Sequence, residues 1–285
     1  MSNLNIAVQK SGRLLDGSLA LLKECGIKVP SPKGQLKASV QNFPLDLLFL
    51  RNSDIPQYVE DGVADIAIVG ENVLIEKEPD VEIILRLGFS KCKVSLAAPK
   101  NSNIKSIKDF EGKKIATSYP VTLRKYLAKN KVSAEIHTIS GSVEIAPTIG
   151  LADGICDIVS TGNTLFMNGL KEVEPMLKSE AVLIANKSLS KSKKTIIEQL
   201  KFRLESVLAA KNNKYVLLNC KKENLANISS ILPGIKSPTV MPLQEEGWIS
   251  VHSVINENKF WENIDDLRAA GAEGILIVPI EKMIG

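Results

Sequence analysis

One pattern limits what this chain can fold into more than any other: a strand–helix alternation that runs through its first two thirds twice. Residues 4–9 (LNIAVQ) read as a strand and residues 14–25 as an amphipathic helix. Residues 45–50 (LDLLFL) form a buried strand, 55–62 a helix behind Asp54 as N-cap with Pro56 in its first turn, and 65–69 (DIAIV) a third strand. The rhythm restarts at Lys113. Strands are expected at 113–117, 134–139 and 155–159, with helices at 121–130 and 142–152. Ser118 is a possible N-cap before Pro120, and Pro147 permits a bend or a late start in the second helix. Two β-α-β-α-β passes imply mostly parallel sheets covered by helices, and hence two lobes facing one cleft. Strand-like runs within 81–99, around Gly88, and at 181–185 supply the hinge strands, and 195–210 is a helix leading out of the body.

The richest chemistry sits at the end of the second pass, in Gly154-Ile155-Cys156-Asp157-Ile158-Val159-Ser160-Thr161-Gly162-Asn163-Thr164. A buried strand stops there at a cluster of hydroxyls and a glycine. Ser160, Thr161 and Thr164 offer O–H donors, and Gly162 lets backbone N–H groups turn inward. Such a loop at the end of a parallel strand suits a phosphate, although an ordinary polar turn has the same composition. The first pass echoes it: Gly62, Asp65 and Gly70 have the spacing of Gly154, Asp157 and Gly162.

Other polar residues gather at strand ends. Lys10-Ser11-Gly12-Arg13 follows the first strand and opens the first helix, where backbone N–H groups, the helix dipole and two cations favour an anion. It does not match a Walker A loop. Arg51 lies past the second strand at the same sheet edge, as a ligand contact or a surface arginine. Tyr119 holds the equivalent position in the second lobe, where it stacks on a base or covers the core edge. Asp153 and Asp157 are carboxylates suited to ribose hydroxyls or, through water, to magnesium; Asp153 is equally suited to capping or surface pairing. Glu144 begins its helix, where the dipole alone would explain an acid.

From Lys214 the rhythm changes to β-α-β-β-α-β: strands at 214–220, near 237–243 and 248–255, and at 274–279, with helices at 223–231 and 259–270, the latter closed by Gly271. This is the ferredoxin-like plan, often a small-molecule sensing or subunit-pairing module. Composition narrows the rest. No apolar run approaches the roughly 20 residues of a membrane span, and the first residues lack the features of a signal peptide, so the expectation is a cytoplasmic protein without a membrane partner. The net charge of +4 is mild, and the lysines of 187–201 lack interleaved aromatics; they read as a solvated loop and helix face, not a nucleic-acid surface. Four scattered cysteines read as reduced thiols, and two distant histidines argue against a His-based zinc site or a Ser-His-Asp triad.

At these same residues the chain resembles a known family. Ile6-Ala7-Val8-Gln9-Lys10-Ser11-Gly12-Arg13-Leu14, Gly70-Glu71-Asn72-Val73-Leu74, Ile115-Ala116-Thr117-Ser118-Tyr119-Pro120, Gly141-Ser142-Val143-Glu144-Ile145-Ala146-Pro147, Gly150-Leu151-Ala152-Asp153-Gly154 running on through Gly162, and Val278-Pro279-Ile280-Glu281-Lys282-Met283 are similar, in order, to ATP phosphoribosyltransferase of the long form. The resemblance implies transfer of a phosphoribosyl group from phosphoribosyl pyrophosphate to N1 of ATP, opening histidine biosynthesis. It also implies Mg²⁺, inhibition by histidine through the C-terminal domain, and a homo-oligomer, dimer when active and hexamer when inhibited. It assigns Glu144, Asp153, Asp157, Ser160, Thr161, Gly162, Asn163 and Thr164 to phosphoribosyl pyrophosphate, and Lys10, Ser11, Gly12, Arg13, Arg51, Glu71, Asn72 and Tyr119 to ATP. Thr239, at the start of the module's second strand, and Ala272, before its last, are candidates for the histidine pocket by their place in the module, or for ordinary packing.

The fold expected is α/β: a two-lobed body like that of periplasmic solute-binding proteins, followed by a ferredoxin-like α+β domain. Residues 1–90 with 181–210 form lobe one, 91–180 lobe two and 211–285 the third domain. A solute-binding clamshell without chemistry, or an adenylate sensor that turns nothing over, are the competing readings.

Overall fold

The computed structural model describes residues 3–30, 34–160, 162–235 and 237–284. The chain divides into two compact units, Met1–Glu198 and Gln199–Gly285. In the first unit, β1 (Leu4–Gln9), α1 (Arg13–Glu24), β2 (Lys37–Ser39), β3 (Leu45–Leu50), α2 (Ile55–Glu60), β4 (Ile66–Gly70), α3 (Glu71–Lys77) and β5 (Val81–Arg86) come first. Then follow β6 (Cys92–Pro99), β7 (Lys114–Thr117), α4 (Pro120–Asn130), β8 (Glu135–Thr138), β9 (Gly154–Val159), α5 (Asn163–Met167) and β10 (Leu170–Ser179). β11 (Ala181–Asn186) and α6 (Lys191–Lys211) complete this part of the chain, with the unit boundary inside α6.

Two sheets result, in the orders β2-β3-β1-β4-β11-β5 and β10-β6-β9-β7-β8. β1 runs parallel to β3 and β4, as β7 does to β8 and β9. β11 and β6 are the antiparallel neighbours of β4 and β9. The run β3-β1-β4-β11-β5 therefore has the same plan as β8-β7-β9-β6-β10. The chain passes between sheets twice, through residues 87–91 and through Glu180. Each lobe has its own apolar core. Ile55, Val59, Ala67, Val69 and Ile184 pack in the first, and Val94, Leu96, Phe110, Ile115, Leu123 and Cys156 in the second.

The internal echo is real but sits four residues from where its spacing suggested. Asp65 is buried just before β4; its Oδ2 accepts from the Asn5 N–H (2.8 Å), and its own N–H donates to Asn5 O (2.9 Å). Asp153, just before β9, makes the same pair of bonds with Lys114 in β7, both 2.8 Å. The equivalent motifs are thus Gly62-Val63-Ala64-Asp65 and Gly150-Leu151-Ala152-Asp153, each tying a third strand to a first. Asp157 has no such counterpart and lies inside β9.

Several local expectations yield to the tertiary setting. Asp54 stands at the α2 N-cap, yet its side chain accepts from Ser53 Oγ (2.8 Å) and makes no cap bond. Ser118 donates to Ile139 O (2.7 Å), so Tyr119 is the N-cap of α4. Residues 142–152 hold only a 3₁₀ turn, Val143–Ile145, because Pro147 has no N–H and the chain goes on through turns such as Leu151 N to Ala146 O (2.9 Å). The ten-residue β10 escaped the pattern reading. It is an edge strand carrying Pro175, and irregularities at Glu172/Glu174 and Pro175/Leu177 break the two-residue alternation. Lys193, within the supposed solvated cluster, pairs with the buried Asp65 at 2.6 Å. None of the four cysteines is in a disulfide.

The second unit contains β12 (Asn213–Lys221), α7 (Leu225–Ile231), β13 (Thr239–Pro242), β14 (Trp248–Asn256), α8 (Glu257–Ala269) and β15 (Glu273–Pro279). The sheet order β13-β14-β12-β15, antiparallel throughout, is the ferredoxin-like arrangement expected. Val216, Leu218, Ile249, Val251, Phe260 and Leu267 form its core. Among the described residues no helix is long and apolar enough to cross a membrane.

Candidate active site

The strand ends of the two lobes meet across a cleft of about 300 Å³. Gln9, Arg13, Asn52, Gly70 and Asn72 line it from the first lobe; Cys92, Ile158 and Ser160 line it from the second, and Ser90 and Lys91 from the passage between them. Position follows from topology: parallel strands deliver their carboxyl ends, and the loops after them, to one edge of each sheet.

Two helix starts frame the cleft. α1 opens at Gly12 and α5 at Gly162, neither with a side-chain cap bond. Gly162 has φ of 80°, a conformation costly for a residue with a Cβ, which explains a glycine here. Arg13 reaches across and its Nη2 donates to Ser160 Oγ at 3.0 Å. Lys10, Ser11 and Arg51 are exposed around the same edge, and Asn163 and Thr164 form the exposed first turn of α5. Thr161 lies outside the described residues.

Asp157 is the half-buried acid of this edge. Desolvation, and secondarily the Glu144 charge, holds its carboxyl above the ordinary range against the pull of the Ile158 N–H, which donates to Oδ1 at 2.7 Å. Burial also raises the Tyr119 hydroxyl, with the Asp157 charge adding to it. Burial lifts the Cys92 thiol too, while Ser179 and Arg13 pull it down.

Four sequence candidates have other employment. Asp153 sits at the opposite end of β9 from Ser160, about 23 Å away at the usual rise per residue. There it clasps Lys114 as described, so the structure does not bring it to the hydroxyl loop. Glu71 is held by Arg86 through two bonds of 2.7 and 2.5 Å, and Arg86 also approaches Glu180 at 3.5 Å. These partners raise the Arg86 guanidinium pKa, Glu71 foremost. Tyr119 covers the second-lobe core, and Asn72 Nδ2 donates to its hydroxyl at 3.3 Å. Asn72 itself is buried and exchanges two 2.9 Å bonds with Ser179. Sequence reasoning gave no role to Gln9, Asn52, Lys91 and Cys92, which line the cleft; Gln9 lies in a stretch that resembles the family, and the signal of the other three is only a place at or beside a strand end. Asn52 Oδ1 is buried there without a hydrogen-bond partner.

In the second unit, Thr239 is exposed on β13 and Ala272 is buried in the core before β15, at opposite edges of the sheet. Three strand spacings, about 14 Å, separate those edges.

The profile of the ATP phosphoribosyltransferase family matches residues 51–206, and that of the HisG C-terminal domain residues 210–282. The ATP phosphoribosyltransferase of Bacteroides thetaiotaomicron is 58% identical over 281 residues, covering 99% of each chain. This chain belongs to the ATP phosphoribosyltransferase family. The Cytophaga hutchinsonii ATP phosphoribosyltransferase is 53% identical, over 99% of this chain and 98% of that one. Among solved structures, the ATP phosphoribosyl transferase (HisG:HisZ) complex from Thermotoga maritima aligns with a TM-score of 0.61 and 28% identity, over 72% of this chain and 98% of that one. A putative periplasmic sulfonate-binding protein from Methylobacillus flagellatus shares the two-lobed fold alone, with a TM-score of 0.50 and 18% identity, over 72% of this chain and 67% of that one. As an ATP phosphoribosyltransferase of the long form, the enzyme transfers the phosphoribosyl group of phosphoribosyl pyrophosphate to N1 of ATP, the first step of histidine biosynthesis. The clamshell without chemistry is thereby set aside.

Proposed function

We propose that the two substrates meet in the cleft between the lobes, phosphoribosyl pyrophosphate on the second-lobe side and ATP on the first. The observation that carries this reading is the Arg13–Ser160 bond, which puts a cation of the α1 start against the hydroxyl loop after β9. The 5-phosphate sits on residues 160–164, where Ser160, Thr161 and Thr164 donate O–H groups and the α5 start adds N–H groups. Asp157, with Glu144 beside it, takes the ribose hydroxyls. Lys10, Ser11, Gly12, Arg13 and Arg51 receive the polyphosphate of ATP. Asp153, Glu71, Asn72 and Tyr119 act as structural ties.

The chemistry asks little of a proton-transfer group. The N1 lone pair of adenine forms a bond to C1 of the ribose as the C1–O bond breaks, and its electron pair leaves with pyrophosphate. Positive charge grows on the sugar and negative charge on the leaving group. The chain's part is to hold N1 and C1 in line, neutralise phosphates with Arg13 and Lys10, and keep water out. Mg²⁺, when bound, neutralises charge on the pyrophosphate. Among the described residues no group of three or more His, Cys, Asp or Glu side chains is arranged to hold a metal ion. One or two carboxylates with substrate oxygens suffice for Mg²⁺, and Asp157 with Glu144 meets that number, so the ion arrives with the substrate.

Histidine inhibition is assigned to the ferredoxin-like unit, the active form to a dimer and the inhibited form to a hexamer. The two sheets of the first unit correspond to lobes of 1–90 with 181–210 and of 91–180, and the compartment is the cytoplasm. The test is direct: incubate the protein with ATP, phosphoribosyl pyrophosphate and Mg²⁺ and follow phosphoribosyl-ATP absorbance. No product, from protein that binds both substrates, would refute the placement of the reaction in this cleft.

A further inference from the structure

We propose that Glu76 is an inter-lobe latch, a positioning residue that sets the aperture of the cleft without touching substrate. The inference rests on the proposed placement of substrates between the lobes. Helix α4 of the second lobe starts without a cap of its own, since Tyr119 at its N-cap makes no side-chain cap bond and Pro120 has no N–H. The acceptor comes from the other lobe. Glu76, on α3, accepts from Val121 N (2.9 Å), Thr122 N (2.9 Å) and Thr122 Oγ1 (2.8 Å). A carboxylate at a helix N-terminus is also favoured by the helix dipole.

Asn72 stands four residues earlier on α3, hence on the same face. It donates to the hydroxyl of Tyr119, the residue just before α4. Glu78, just beyond α3, pairs with Lys125. One side of a single short helix thus makes three successive polar contacts with the other lobe. The N-cap of the same helix, Gly70, and its second residue, Asn72, line the cleft. A two-oxygen grip on adjacent N–H groups is possible only at one relative setting of the lobes, so Glu76 favours that setting before substrate arrives. Without it, substrates must impose the setting themselves, and apparent affinity falls by the fraction of protein left closed.

The test measures inter-lobe distance by pulsed electron resonance, with spin labels on ketone-bearing residues at the exposed Lys23 and Lys129. Glu76→Ala, and independently Thr122→Val from the other side of the latch, are compared with the unaltered full chain. Glu76→Gln, which keeps one acceptor and sets an amide N–H₂ against a backbone N–H, falls between. The expected result is a longer and broader distance in substrate-free Glu76→Ala, restored when both substrates are added. KM rises about tenfold for both substrates, with kcat changed less than threefold. A distance distribution identical to the unaltered protein, or a lower melting temperature with unchanged distance and KM, would mean a mere helix cap and overturn the latch. Turnover of the unaltered protein is recorded in the same preparation. Its absence would sink the phosphoribosyl-transfer reading of the cleft, while the distances still decide the latch.

Discussion

Replacing Arg13 by alanine removes a side chain whose hydrogen bond joins the α1 start to the loop after β9. Two effects should be separable. The first is loss of a cation facing phosphate oxygens; hydrogen bonds to charged groups contribute roughly 1.5–3 kcal/mol, about 10- to 150-fold in kcat/KM. The second is loss of the 3.0 Å bond to Ser160, which is exposed. A neutral acceptor there is worth roughly 0.5–1.5 kcal/mol at most, about 2- to 12-fold. Ser160→Ala isolates this smaller term, together with any donation from Ser160 to the 5-phosphate. Steady-state kinetics with each substrate varied at saturating partner would give kcat/KM for both single variants and the double variant. Arg13→Ala should cost more than Ser160→Ala, with its larger loss in kcat/KM for ATP and a steep dependence on salt. The double variant should show a coupling of about 0.5–1 kcal/mol, because the two groups touch. A loss below threefold for Arg13→Ala at sub-saturating ATP, in protein of unchanged melting temperature, would refute the placement of ATP on the first lobe.

Four further outcomes follow from the geometry. Asp157→Asn should lower turnover yet raise the melting temperature at neutral pH, because burial raises the Asp157 pKa in the folded state. The folded carboxyl binds its proton more tightly than the unfolded one, so the destabilisation is complete above the raised pKa and vanishes below the ordinary aspartate range; the gain from Asn in pH-dependent melting should shrink as pH falls through that window. Asp153→Ala should cost about 1 kcal/mol, a fall of about 2–4 °C in differential scanning calorimetry, with KM for both substrates unchanged. Thr161→Ala and Thr164→Ala should weaken phosphoribosyl pyrophosphate binding more than ATP binding in titration calorimetry, and equal losses would remove the phosphate from this loop. A chain ending near Lys211 should lose histidine inhibition, and a soluble, active truncated enzyme still inhibited with unchanged potency would move the regulatory site into the lobes.

The amino-acid order alone determined the architecture, because periodicity is a local property. Apolar runs such as 45–50 and 65–69, with intervening helical stretches, dictate β-α-β-α-β twice, and strands β3 and β4 appear at Leu45–Leu50 and Ile66–Gly70. The switch to β-α-β-β-α-β after Lys214 was equally legible. So was the hydroxyl loop, since polar residues at a strand's carboxyl end gather at one sheet edge whatever the remote contacts. Which polar residue does what was decided only by the tertiary structure. Asp153 and Asp157 are four apart in sequence and look interchangeable. Register places one beside Lys114 at the far end of β9 and partly desolvates the other beside the charge of Glu144. Glu71 appears free until Arg86 arrives from β5, and Ser118 looks like a cap until Glu76 takes that role from the other lobe. Helix caps, ion pairs and desolvation depend on partners that are distant in the chain, and no local pattern records which of two equally polar neighbours will meet them.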